Sequence, residues 1–290
     1  MACLWRYSQR TSHRYLKSYH GDFKLHGSFW GSSLSLIVLC KKGILFFSFS
    51  TSKKGGTLKH TFFVCRTIFL RHGNSEYTEV YPDLTTEGRN IVLKSGEMIK
   101  KQIDGWNGDV NIVTSPTIRA IASANIIKNS LNGTCNSCIE VDRRIRAMEV
   151  IDKKKSDDFF ENLPKEYREF KNGARKIDRE YNSNPIWERG DIFEKRSDIQ
   201  ERFVWYLRDF VKSNRREMPP CVIHISHLEV LWSLFDEFYA PNYEHEQPFS
   251  FGEFFILDFY GTERPDLFSV KTWFRGREAS GMFNGVLRKM

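Results

Sequence analysis

The chain has 290 residues and a formal charge of +8, with 40% hydrophobic and 28% charged residues. Residues 1–60 hold ten Lys or Arg against the single acid Asp22, whereas the remaining 230 residues sum to −1. The basic excess therefore belongs to the leader. It gives no reason to read the rest as a nucleic-acid binder, and no nucleic acid is expected among its partners.

The leader, residues 1–60, admits three readings. Arg6, Arg10, Arg14 and Lys17, set among serines and tyrosines, resemble a mitochondrial transit peptide. The apolar runs Leu34 to Cys40 and Gly43 to Phe49 suggest a membrane-associated or secretory segment, although each falls short of the ~20 residues a bilayer requires and Lys41-Lys42 divides them. The segment reads equally well as a disordered or extraneous extension. Ser50 to Gly56 has linker composition, which puts the start of the folded domain near residue 60. Localisation is accordingly expected to be cytoplasmic, or mitochondrial if the leader is a transit peptide.

About 230 residues follow, enough for one sheet core covered by helices. The apolar run Val64 to Leu70 predicts a buried strand, and it ends in Arg71-His72-Gly73-Asn74-Ser75, a guanidinium and an imidazole at a sharp turn. Leu84-Thr85-Thr86-Glu87-Gly88 then opens a helix with Thr85 as its N-cap and Ile91, Val92, Met98 and Ile99 on one face. Val110 to Val113 predicts a second strand, followed by Ser115-Pro116-Thr117-Ile118-Arg119-Ala120 and a helix through Leu131, with Pro116 in its first turn. Asp152 to Gln200 is heavily charged and reads as a solvated, partly helical insertion. Its aromatics Phe159, Phe160, Tyr167, Phe170, Tyr181 and Trp187 either pack it onto the domain or form a lid, and packing is the preferred reading for most of them.

Glu201 to Val211 predicts an amphipathic helix through Phe203, Val204, Leu207 and Val211. Cys221 to Ile225 gives a third buried strand ending in Ser226-His227, with His224 on the same strand as an alternative, core-type histidine. Aromatic enrichment makes Phe254 to Tyr260 and Phe268 to Trp273 further strands, and the basic, glycine-containing end from residue 276 reads as a loose tail. Basic residues and histidines thus collect at strand ends, where ligands of open α/β sheets bind.

These segments, Leu70-Arg71-His72-Gly73-Asn74-Ser75, Leu84-Thr85 with Gly88 and Gly96, Ser115 to Ala120 with Ser123-Ala124, and Ser226-His227, resemble branch 1 of the histidine phosphatase superfamily, the phosphoglycerate mutase-like group. The resemblance covers about residues 62 to 275. It implies a three-layer α/β/α domain over 61–275 with a central, mainly parallel sheet, and hydrolysis of a phosphomonoester through a phosphohistidine on His72. Arg71, Arg119 and His227 would bind the transferring group together with Asn74 and Ser75. No metal or other cofactor is implied, and the expected partner is a phosphorylated small molecule or a phosphoprotein.

Two positions depart from the pattern the resemblance implies. Ala147 stands where a glutamate ordinarily protonates the leaving oxygen, leaving Glu149 as the tentative acid and Glu229 as a second candidate. Thr78 stands where an asparagine near the phosphate is common. These departures keep alternatives open, namely a catalytically weak or inactive phospho-ligand binding or scaffold protein, or a phosphomutase. Six cysteines form no framework. Cys135-Asn136-Ser137-Cys138 is an isolated pair in a polar loop, read as two loop thiols rather than a zinc or redox site.

Overall fold

The computed structural model describes the backbone of residues 14–20, 23–30, 33–40 and 43–50, and residues 62–75, 82–133, 138–168, 170–171, 174–180, 184–214, 218–238 and 249–284. Two units divide the chain, residues 1–59 and 60–290. In the first, β1 (Arg14–His20), β2 (Phe23–Trp30), β3 (Ser33–Cys40) and β4 (Gly43–Ser50) pair antiparallel in chain order. The two apolar runs of the leader fall on β3 and β4. No helix among the described residues is long and apolar enough to cross a membrane.

The second unit alternates strands and helices: β5 (Phe62–Arg71), α1 (Thr86–Gln102), β6 (Val110–Thr114), α2 (Ile118–Ser130) and β7 (Ile139–Val141). The charged insertion then supplies α3 (Lys153–Asn162), α4 (Lys165–Arg168), the two-residue strands β8 (Phe170–Lys171) and β9 (Ala174–Arg175), and α5 (Lys176–Arg179). After it come α6 (Arg196–Ser213), β10 (Cys221–Ser226), α7 (Leu228–Phe238), β11 (Phe254–Gly261), β12 (Phe268–Phe274) and β13 (Arg277–Phe283). A seven-stranded sheet runs in the order β13-β12-β11-β5-β10-β6-β7. Strands β5, β10, β6 and β7 are parallel, while β11, β12 and β13 continue the sheet antiparallel.

Both faces of the sheet are covered, which is why its central strands read as mostly apolar runs with few polar interruptions. On one face Ile68, Leu70, Ile112, Ile223 and Ile225 meet α1 and α2 through Val92, Ile99, Ala124 and Ile127. On the other Phe69, Val222, Phe255 and Leu257 meet α6 and α7 through Phe203, Leu207 and Leu231. Each such side chain contributes about 1.5–3 kcal/mol when fully buried. Phe159 and Phe160 pack edge-on against Phe193, and Trp187 is buried with its indole N–H donating to the Ile177 carbonyl at 3.3 Å. Those three aromatics therefore fasten the insertion to the core, while the side chains of Phe170 and Tyr181 lie outside the described residues.

Three expectations need correction. Met98 is 47% exposed, because α1 buries Gly88, Val92, Ser95, Gly96 and Ile99 instead. Small residues mark that face because α2 lies so close: a Cβ on Gly96 would stand 2.6 Å from Ser130 Oγ. Helix α2 starts at Ile118, so Pro116 precedes it and Thr117 occupies the N-cap. Finally, residues 277–283 of the expected tail form β13, paired along β12. The turn between them is Arg275-Gly276, both with positive φ (50° and 73°), the two-residue geometry that matches strand twist. Phe283 at the end of β13 is fully buried and anchors the hairpin.

One backbone contact fixes the loop after β5. A Cβ on Gly88 would lie 2.1 Å from the Asn74 carbonyl oxygen, and one on Gly73 would lie 2.6 Å from the Gly88 oxygen. The loop thus rests directly on the first turn of α1. Its hold is completed by Thr85, whose N–H donates to Asn74 O at 3.0 Å while its hydroxyl caps the helix by accepting from Gly88 N at 2.9 Å.

Candidate active site

Parallel pairing brings three strand ends to one edge. Arg71 on β5 is in register with Ser226 on β10, and Ile225 with Thr114 on β6. The backbone bonds continue one step past the strands: His72 N–H donates to Ser226 O and Ser115 N–H to Ile225 O, each at 3.0 Å. His72, His227 and the start of the Ser115-to-Arg119 segment are carried to the same place by main-chain geometry alone.

His72 is 2% exposed. Its Nδ1 lies 2.7 Å from the Gly73 carbonyl, an acceptor only, so the ring proton is assigned to Nδ1. The lone pair is then on Nε2, which accepts from Arg119 Nε–H at 3.1 Å. Burial first, then the charges of Arg119 and Arg71, hold this imidazole well below the usual histidine range and so keep it neutral. His227 faces it edge-on with ring centroids 4.8 Å apart, and its own Nε2 meets Ser115 Oγ at 2.7 Å and Thr117 Oγ1 at 3.4 Å. Burial again comes first in depressing His227, followed by His72, Arg119, Arg71 and Arg202.

Arg71 is held from the opposite side. Its guanidinium lies 3.9 Å from the centre of the Phe251 ring, Nη1 donates to Phe249 O, and the backbone bonds to Glu253 O and Gly252 N. Phe251 also borders His72, with ring centroids 5.8 Å apart. Ser123 ties the loop that carries His72 to α2, accepting from Gly73 N–H at 3.1 Å and donating to Arg119 O at 2.8 Å. Asn74 supports the loop through its carbonyl, and Ser75 pairs with Leu84 in an isolated bridge. The Ser75 hydroxyl is buried without a hydrogen-bond partner among the described residues. Thr78 and Cys135 lie outside the described residues, and Cys138 is exposed.

Glu149 is placed unlike a proton donor. Its carboxylate is 55% exposed and accepts from Arg146 Nε at 2.7 Å. That hydrogen bond holds the carboxyl below its ordinary range, the opposite of what a general acid requires. The surrounding loop is locked by Glu194, which accepts from Arg202 through both oxygens at 3.1 Å and from Arg146 at 3.2 Å. Arg202 also donates to the Arg144 and Arg146 carbonyls, and Ser226 Oγ to Ile145 O. Ala147 is half-buried in this loop, and Glu229 lies half-buried in the first turn of α7. Among the described residues no cluster of three His, Cys, Asp or Glu is arranged to hold a metal ion.

Ser115, Thr117, Ser123 and Phe251 join the site without having been given roles from the sequence. The first three lie inside segments the sequence had singled out, so position was legible and partner was not. Phe251 carried no signal beyond its aromatic character.

The sequence model of the histidine phosphatase superfamily (branch 1) matches residues 67–260. The chain belongs to this superfamily. Its sheet sets parallel central strands between helical layers, the α/β/α arrangement expected from the sequence. Among solved structures it is similar to a mycobacterial glucosyl-3-phosphoglycerate phosphatase, with 19% identity, 67% of this chain and 90% of that one covered, and a TM-score of 0.46. A phosphoglycerate mutase from Bacillus anthracis shares 14% identity over 69% and 91% of the two chains, with a TM-score of 0.48. A phosphoserine phosphatase variant from Entamoeba histolytica, in complex with phosphoserine, shares 16% over 77% and 100%, with a TM-score of 0.44. No curated protein sequence matches the chain.

Proposed function

We propose that this superfamily member hydrolyses phosphomonoesters, of small molecules or of phosphoproteins, through a phosphohistidine on His72. The observation that carries the reading is the Nε2 lone pair of His72, which faces a guanidinium while Nδ1 is committed to Gly73 O. A neutral, oriented imidazole is the nucleophile that in-line attack on phosphorus needs. As the Nε2–P bond forms and the P–O bond to the leaving group breaks, charge gathers on the phosphoryl oxygens. Arg119, Arg71 and His227 border that position and supply fixed positive charge and donors without reorganisation. Asn74 and Ser75 belong to the loop that presents the nucleophile. Attack of water on the phosphohistidine then releases inorganic phosphate and restores His72.

A second reading is favoured by one observation, the solvated ion pair that occupies Glu149. With Ala147 in the same loop, a poor leaving group lacks an obvious donor there, and general acid catalysis is worth about 10²–10⁴-fold. On that reading the protein binds phospho-ligands and transfers their phosphate slowly. A mutase would differ only in returning the phosphate to a bound product.

An aryl phosphate separates these, because an aryloxide leaves with little protonation. Turnover by the wild type, lost in His72→Ala, with an acid-labile phosphoryl label on the wild-type protein alone, is the expected result. Phosphate-competed ligand binding with no turnover and no label would establish the binding module instead. Ala147→Glu is expected to speed hydrolysis of an alkyl phosphate; an unchanged rate would mean that another carboxylate already serves.

A further inference from the structure

We propose that Ser115 is a positioning residue of the site, its hydroxyl directing its hydrogen at Nε2 of His227 and so fixing the plane of that ring and keeping the ring's own proton on Nδ1. The contact is the tightest that His227 makes, 2.7 Å, against 3.4 Å for Thr117. It is shut away from solvent, with Ser115 at 0% and His227 at 2% exposure. It is also held from both ends by the backbone, because Ser115 N–H is bonded to Ile225 O, two residues before His227 on the neighbouring strand. A hydroxyl hydrogen rotates to find an acceptor, and among the described residues His227 Nε2 is the acceptor that Ser115 Oγ meets. On this assignment the hydroxyl donates, and the ring nitrogen it addresses is unprotonated.

Thr117 supports the assignment. It occupies the N-cap of α2 yet makes no side-chain capping bond, whereas Thr85 at the equivalent position of α1 does. Its hydroxyl lies instead within reach of the same His227 nitrogen. The charged groups acting on the ring are His72 and Arg71 from the end of β5, Arg119 from α2 and Arg202 from α6, with Glu229 two residues along on α7 itself. All but the last are cationic or become so on protonation, so the ring stays neutral and its tautomer is the property left for a hydroxyl to decide.

The role belongs to the proposed phosphoryl-transfer reading, but its first test is independent of turnover. In ¹⁵N NMR of the full chain, the His227 ring, assigned by its disappearance in His227→Gln, is expected to show the Nδ1–H tautomer. An Nε2–H tautomer in the wild type overturns the proposal without recourse to any further variant. Ser115→Ala is expected to mix the two tautomers, and Ser115→Thr to restore the first. With an aryl phosphate, Ser115→Ala should lower kcat about tenfold while leaving KM within a factor of two, the scale of one lost buried hydrogen bond. A Ser115→Ala protein that melts like the wild type and keeps its tautomer and kcat also overturns it. Absence of wild-type turnover would defeat the phosphatase reading and leave the ring spectrum as the judge of Ser115.

Discussion

His224 lies within β10 and His227 one residue past its end, and the two meet opposite company. His224 is stacked on Phe69, with centroids 4.3 Å apart and planes 10° from parallel, and is flanked edge-on by Tyr206 and Phe210 at 5.6 and 5.0 Å. His227 meets another imidazole and two hydroxyls, and lies in the field of Arg119, Arg71 and Arg202. Both are buried and neutral, and burial lowers His224 to about 3. Depressed basicity therefore does not separate a structural histidine from a site histidine; the groups within reach of the ring nitrogens do. The aromatic sleeve uses the imidazole as a flat packing element, while the strand end uses it as a source and acceptor of hydrogen bonds.

Substitutions at the two positions should pull activity and stability apart. The largest effect is expected from His227→Ala, a loss of about 10²–10³-fold in kcat for an aryl phosphate with melting temperature nearly unchanged, the usual cost of removing a preorganised donor. Equal turnover in this variant would remove His227 from the site. His224→Ala is expected to do the reverse, costing about 2 kcal/mol in denaturant unfolding through the cavity it leaves, with kcat kept in the folded fraction.

A further effect, read in the pH dependence of stability, is common to both histidines and to His72. Their folded-state values lie below the unfolded value of about 6.5, so in that window the unfolded chain binds more protons. Stability should hold above pH 6.5 and fall as pH drops below it, by up to about 1.4 kcal/mol per pH unit for each histidine. For His224 the decline continues to about pH 3. Denaturant titrations at several pH values read the slope, and His224→Ala should make it shallower. The smallest effect is expected at Glu149→Gln, which removes an exposed ion pair and should leave kcat within about twofold. A drop of 10²-fold there would reinstate Glu149 as the proton donor.

Much of the sheet was readable because buried parallel strands are rich in apolar residues, as β5, β6 and β10 are apart from Arg66, Thr67, Asn111 and His224 and the polar residues at their ends. The Thr85 cap was readable because a hydroxyl before an amphipathic run has a local use. The convergence of Arg71, His72, Arg119 and His227 was readable only through the resemblance, since no local rule links residues 72 and 227. What escaped notice depends on contacts that sequence spacing does not encode. Ser115 and Phe251 act on partners over a hundred residues distant. The buried face of α1 was misjudged at Met98 because a tight helix crossing favours Ser95 and Gly96 over apolar bulk. Strand β13 was missed because an edge strand can be largely polar, and its turn, Arg-Gly, lacks the usual asparagine or aspartate.

The contact between Gly73 and Gly88 has a consequence for any attempt to redesign this pocket. Two main chains fifteen positions apart touch with no side chain between them, so even a methyl group at position 88 would act as a wedge. The wedge would move the loop that carries His72 without altering any side chain of the site. Tolerance to mutation in the first turn of α1 is thus set by ångström-scale clearance beneath the imidazole, and the two glycines are expected to be replaceable only together with a shift of the helix.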